Sequence, residues 1–484
     1  MGERLRSNVI EGLIRGNGLG PFAYGGTEFL RRIFVTVRDR NWQEITPGQF
    51  DCRVGDGGRT IRVGARHTSE LVDFEWRGEL ELGREGRSLT FALEGKALRT
   101  MDVCRLGLVI LHPVATLAGA RVKTHGSDGE RRYELPDHVS PQPIVNGAPA
   151  ALTEPFSQIV IEHSSLGRLE MRFLGELFEL EDQRNWGDSS FKTYCTPLRL
   201  GYPRTIPKGF RIAHSVQVSF EPSPNASQPL ATPDPRPRIG RVPPMGTETA
   251  EEPSWALGWD HIRVDGAEAT TDYMERLLSR IPRDVKLEIV ISTDRIGDLT
   301  DAIEDWVHAN AARIATLILT DHRRPLPAAA DVSRLRKALD AGPARPLPLL
   351  VSPGGYFVEF NRNQRLELQV DGIAFPLTST VHSDDSATIL ENRCAVSDMV
   401  KTLRYLTGKS HIAISPLALN LPSRENGHFP SALIAPWLLA VLGFAAQADV
   451  TSITLAADVL EGLGPSSLIR SRNCGRAAGG VDNL

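Results

Sequence analysis

Over residues 1–221 the apolar positions recur with a period of two. "RRIFVTVRD", "RTIRVGARH", "ELVDFEWRGELEL", "SLTFALEGKAL", "RLGLVILHP", "FSQIVIEH", "GRLEMRFLG", "ELFELED" and "RIAHSVQVSFEP" are short runs punctuated by Gly, Asp or Pro. Such runs, with no long helical pattern between them, predict an antiparallel β-sandwich. Residues 222–254 are dense in proline, which excludes a continuous helix or central strand and predicts a linker or strap. From residue 255 the period changes. "DHIRVDG", "KLEIVIST", "TLILTD", "PLPLLVSPG", "DGIAFPLTS", "HIAISPLALN" and "VTSITLAAD" alternate with stretches of helical period such as "LTDAIEDWVHANAARI" and "SATILENRCAVSDMVKTLRYLTG". Seven strands at this spacing, with right-handed crossovers, predict a TIM-like (β/α)8 barrel over 255–484. An eighth strand is not evident. The barrel is expected either to hold a strand the pattern does not show or to be open or truncated at its C-terminal end.

The chain has 484 residues, enough for two or three domains. Its formal net charge is −4, with both signs mixed, so no basic footprint for nucleic acid stands out. The five cysteines are odd in number and contain no C-x-x-C pair, which argues against a disulfide framework or structural zinc. "MGERLRSNVIEGLIRGNG" has no apolar run long enough for a signal peptide, and the uncharged stretch "SALIAPWLLAVLGFAAQA" reads as a buried helix. The expectation is a cytoplasmic protein with no membrane partner, and the sequence does not specify an oligomeric state.

In a barrel the chemistry sits at the C-terminal ends of the strands. Those ends offer Asp265, Thr293, Asp294 and Asp321, then Tyr356, Glu359 and Asn361 in "SPGGYFVEFNRN", then His382 in "STVHSDDS", and Asn420. Glu359, after the fourth of the seven strands, is a candidate acid or base if burial raises its pKa. His382 is a candidate general base, which Asp384 or Asp385 could orient or join in binding a metal; "SDDS" also reads as a helix cap. A second polar centre is "FELEDQRNWGDSSFKTY" (178–194). There Glu181, Asp182, Arg184, Asn185, Asp188 and Lys192 could form an ion-paired seam or a clamp for a sugar-like ligand, with Trp186 or Tyr194 stacking on it. His112 reads as a structural histidine.

"FELEDQRNWGDSSFKTYCTPL" resembles the E-D-Q-R-N-W-x-D-x-S-[FY]-K-T-Y signature of the D-apionate lactonase family. "RRIFVTVRDRNW", "RLGLVILHP", "DHIRVD", "YFVEFNRN" and "DGIAFPLTSTVHSDDSATILEN" agree with it in order across roughly residues 25–450. The resemblance implies a cytosolic sugar-acid lactonase of apiose catabolism, converting D-apionolactone to D-apionate. It also implies a β-sandwich, a TIM-like barrel and a further C-terminal β region, which this chain ends before. Ala456 and Ala457 stand where the resemblance implies an acidic residue; if that acid matters, either Asp458 or Glu461 replaces it or activity is weak or altered.

Lactone opening needs a base for water (His382, Glu181 or Asp182) and an oxyanion donor (Lys192 or Arg184). It also needs an acid for the leaving alkoxide (Glu359). Asn185, Asp188, Tyr356, Asn361 and Asp265 are the candidate substrate contacts. No G-x-S-x-G elbow supports a serine nucleophile. No cofactor is demanded, although a divalent metal at His382 is compatible. Two rival readings stay open. One is a glycoside hydrolase using Glu359 as acid/base, and the other is a non-catalytic carbohydrate-binding homologue.

Overall fold

The computed structural model describes residues 4–6, 11–15, 18–24, 26–84, 87–224, 241–248, 258–265, 270–293, 301–341, 347–364, 367–420, 431–461 and 463. For 4–6, 11–15, 301–304 and 431 it describes the backbone only. Asp294, most of the proline-rich stretch and the tail from 464 lie outside the described residues. The chain divides into two units: residues 1–184 with 189–235, and residues 185–188 with 236–484.

The first unit is the expected sandwich. Its described strands form an antiparallel ten-stranded sheet, an antiparallel nine-stranded sheet and a small hairpin of Ile144–Val145 with Ala148–Pro149. Alternation in sequence becomes alternation in burial: in Thr60–Thr68 every second side chain, Ile61 to His67, faces inward. The two sheets meet through rings such as Phe29 and Phe220, stacked at 4.5 Å. One strand of the ten-stranded sheet, Met101–Pro113, is buried almost throughout and pairs with Arg32–Asp39 and Ser190–Tyr194. His112 on this strand is fully buried, and its Nε2 lies 2.8 Å from Thr193 Oγ1. Burial pushes its imidazole down to about 3, so it stays neutral, as the structural reading expects.

The second unit is a closed eight-stranded parallel barrel. Its strands are β1 (Met245–Glu248), β2 (His261–Asp265), β3 (Lys286–Ser292) and β4 (Ile314–Thr320), then β5 (Leu349–Val351), β6 (Gly372–Thr378), β7 (His411–Ala418) and β8 (Ser452–Leu455). The strand that the hydrophobic pattern did not show is therefore the first one. It lies inside the stretch expected to be linker, pairs with both β2 and β8, and closes the barrel, which is not open at its C-terminal end. Two consequences follow for numbering. Glu359 follows the fifth strand, and the two alanines come just after the eighth.

Val290, Ile318, Leu350, Ala374 and Ala413, one from each of β3 to β7, form a single buried apolar cluster. Among the helices, Ala395–Thr407 buries Val396, Met399, Val400 and Leu403 at three- and four-residue spacing and stops at Gly408 in the left-handed region. Ser431–Gln447 is the apolar helix read from sequence, with Trp437, Leu438 and Val441 buried. Among the described residues no helix is long and apolar enough to cross a membrane.

Candidate active site on the barrel unit

The polar stretch 178–194 divides between the units. Its flanks, Glu179–Asp182 and Ser190–Tyr194, form an antiparallel hairpin that places Glu181 opposite Lys192 and Asp182 opposite Phe191. Every residue of both strands is buried. Buried charges must be paired, and these are. Glu181 Oε2 lies 3.1 Å from Arg105 Nη2 and 3.2 Å from Lys192 Nζ. The Arg105 guanidinium rests 3.4 Å from the Tyr194 ring centroid. Asp182 takes a two-pronged grip from Arg184, Nε to Oδ1 at 2.9 Å and Nη2 to Oδ2 at 2.8 Å. Arg184 is fully buried and also donates to the carbonyls of Pro136, Asp137 and His138. These contacts are those of the ion-paired alternative read for this stretch. Glu181, Asp182, Arg184 and Lys192 are tied into buried ion pairs of the sandwich unit. An attacking water or an oxyanion would have to break those pairs to use them.

The hairpin's tip, Asn185–Asp188, belongs to the barrel unit. Asp188 Oδ2 lies 2.5 Å from His382 Nδ1, and Asp188 Oδ1 accepts from Asn392 Nδ2 at 3.1 Å. The same Asn392 amide donates to the Ser379 carbonyl at 3.1 Å, and Trp437 Nε1 donates to Ser379 Oγ at 3.0 Å. Asn361 Nδ2 donates to Asn185 Oδ1 at 2.9 Å. The Trp186 ring stands 5.6 Å from Tyr356 and 6.1 Å from His382. Asn185, Asp188, Tyr356, Asn361 and His382, five of the expected site residues, are thus brought together. Gly187 makes the close approach possible. Its φ is +88°, and a Cβ there would stand 2.5 Å from the Thr378 carbonyl oxygen at the end of β6. Gly187→Ala is therefore expected to displace Asp188 from His382. Activity should fall at least about tenfold with little change in far-ultraviolet circular dichroism.

A carboxylate can only accept, so His382 Nδ1 carries the proton in this pair and the ring's lone pair lies on Nε2. His382 keeps about a fifth of its side chain exposed (18%), whereas Asp188 is buried (5%). That is the arrangement of a base oriented by an acid. Asp385 is the N-cap of Ser386–Asn392 and accepts from the Ala387 and Thr388 amides, as the capping reading expects.

Glu359 sits in the first turn of the short helix Phe357–Asn363, two residues before the fully buried Asn361. Its carboxylate lies over Gly355, where a Cβ would come within 2.9 Å of Oε1. Burial raises its pKa above the usual carboxylate range, against the Gly355 amide and Arg362, which lower it. Asp265, at the end of β2, is exposed, with Oδ2 4.0 Å from Arg263 Nη2. Asp458 Oδ2 accepts from the Leu419 and Asn420 amides, so this carboxylate ties the loop after β7 to the end of β8. Among the described residues no group of three or more His, Cys, Asp and Glu is placed to hold a metal ion. Sequence reasoning missed Asn392, whose signal was only its place about two helix turns after the Asp385 cap, and Ser379.

Two family models match the chain. The D-apionate lactonase N-terminal domain covers residues 2–223, and the D-apionate lactonase TIM barrel domain covers residues 257–432. The chain belongs to the D-apionate lactonase family. A D-apionate lactonase of Brucella anthropi is 25% identical over 461 residues, covering 87% of this chain and 73% of that protein. Among solved structures, a putative aldose 1-epimerase from Escherichia coli K12 is 13% identical, covers 46% of this chain and 99% of its own, and has a TM-score of 0.31. A GH36 alpha-galactosidase from Geobacillus stearothermophilus in complex with stachyose is 10% identical, with 98% and 86% covered and a TM-score of 0.29. At these TM-scores neither likeness carries an argument. For the D-apionate lactonase family the matched boundaries agree with the sandwich and with most of the barrel.

Proposed function

We propose that this chain, a lactone-hydrolysing carboxylic ester hydrolase by family, opens D-apionolactone to D-apionate in the cytoplasm. The observation that carries the reading is the His382–Asp188 pair on the barrel unit. His382 Nε2 takes a proton from water as the water oxygen bonds to the lactone carbonyl carbon. The ring C–O bond then breaks, and Glu359, whose partial burial favours its protonated form, gives its proton to the leaving alkoxide. The products are one carboxylate and one free hydroxyl. Tyr356 and Trp186 supply the surrounding polar and aromatic surface, and the buried Asn361 holds Asn185 beside them.

The test is acid release from D-apionolactone followed with a pH indicator, with and without EDTA. Release above the spontaneous rate in both conditions is expected. A folded protein with no release at all overturns the reading.

Glu359 gives a second check. A raised folded-state pKa means that the folded protein holds this proton more tightly than the unfolded chain. That stabilisation is present below the unfolded value and is lost as pH rises through the folded one. At neutral pH the carboxylate is therefore a liability to the fold. Glu359→Gln is expected to raise the melting temperature at pH 7, the gain vanishing below about pH 4, while lowering kcat/KM about 10²-fold. A lower melting temperature with full activity would remove Glu359 from the mechanism.

A further inference from the structure

A polar network runs through the barrel and reaches its C-terminal rim. His261 Nε2 (β2) donates to Thr454 Oγ1 (β8) at 2.9 Å, and Thr454 Oγ1 donates to Glu288 Oε1 (β3) at 2.8 Å. Ser415 Oγ (β7) donates to the same Glu288 oxygen at 2.5 Å and accepts from Arg263 Nη1 (β2) at 2.8 Å. β3 is not a neighbour of β7 or β8, so these bonds cross the barrel's interior. Above them, Arg263 Nε stands 3.6 Å from Glu248 Oε1, and Nη2 stands 4.0 Å from Asp265 Oδ2. Both distances exceed a hydrogen bond. The Nε/Nη2 edge, the fork that arginine uses for two-pronged recognition, thus makes no hydrogen bond within the described residues. It lies between two carboxylates at the last residues of β1 and β2. Burial first, then Asp265, Asp458 and Glu288, push Glu248's carboxyl above its usual range, against Arg263.

The same rim carries His382. Thr380 Oγ1 donates to the Leu419 carbonyl, Asp458 takes the Leu419 and Asn420 amides, and β8 pairs with β1. The loops after β6, β7 and β8 are therefore linked up to the strand that ends in Glu248. No residue of the Glu248–Arg263–Asp265 group takes part in the hydrolytic steps above.

Resting on the lactonase reading, we propose that Glu248, Arg263 and Asp265 form the subsite that binds the neutral hydroxyl groups of a polyhydroxylated lactone. Hydroxyls donate to the two carboxylates and accept from the arginine fork, which suits a vicinal diol. Glu248, Asp265 and Glu288 outnumber the single cation, so the site disfavours an anion. It would hold the neutral lactone and repel the carboxylate that hydrolysis creates.

The experiment compares kcat/KM for D-apionolactone and for unsubstituted γ-butyrolactone in the wild type, Glu248→Gln and Arg263→Gln. The wild type is expected to prefer the hydroxylated lactone, and each variant to lower that preference about 10²-fold. Inhibition by the open acid is expected to tighten in Glu248→Gln, a direction that general damage would not produce. A preference within about threefold of wild type in folded variants overturns the proposal. If Arg263→Gln does not fold, Glu248→Gln decides alone. If the wild type opens neither lactone, the function proposed above fails. Calorimetric binding of intact D-apionolactone to the wild type and to Glu248→Gln then decides this subsite separately, with equal affinity counting against it.

Discussion

Asp188→Asn is expected to lower kcat/KM for lactone opening by about 10²–10⁴-fold without unfolding the protein. Asn392 already donates to Oδ1 of this side chain, so an amide at 188 must turn its oxygen toward Asn392 and its NH2 toward His382. His382 Nδ1 then has to accept. The ring switches tautomer, and Nε2 carries a proton where the mechanism needs a lone pair. His382→Gln should lose as much, and the double variant little more, because the two residues act as one unit. The measurement is kcat/KM against pH for the three variants, with melting temperatures alongside. Full activity in Asp188→Asn would mean that the pair only fastens the loop after β6.

Asp182→Ala is expected to cost about 3–5 kcal/mol of stability. Arg184 would be left fully buried without the carboxylate that grips it, while still donating to the carbonyls of Pro136, Asp137 and His138. Denaturant unfolding followed by far-ultraviolet circular dichroism reads the loss. Arg184→Lys should also be costly, since an ammonium cannot span both Asp182 oxygens and three carbonyls. These results separate the structural role from the catalytic role that the sequence suggested for Asp182. A base would show lost turnover and an unchanged unfolding midpoint; the opposite pattern is expected here.

The two outcomes show why residues 178–194 were hard to read. In the sequence Asp182, Arg184, Asp188 and Lys192 look like one polar cluster. A hairpin register pairs Glu181 with Lys192 and leaves only the four-residue tip for the barrel unit. Nothing in one-dimensional spacing states that division. Strand alternation, by contrast, was plain wherever one face is buried, because period two survives in Thr60–Thr68 and its neighbours. β1 was invisible for the opposite reason. "MGTE" has one large apolar side chain and sits among prolines and glycines, and its strand conformation comes from the edges of β2 and β8. Missing β1 also hid Glu248. Arg263 was in view, inside "DHIRVD", but its place opposite Ser415 depends on barrel closure.

That closure has a bearing on how the chain reaches its native state. The strand at residues 245–248 finds one of its two partners at 453–455, so the last hydrogen-bonded seam waits until some two hundred further residues have been synthesised. Contacts so distant in sequence are slow to form, because the loop they close carries its entropy cost before any reward. During synthesis the open edges of β1 and β7 both wait for β8. A ribosome stalled before residue 452 would therefore hold an unclosed sheet, prone to pairing with another chain.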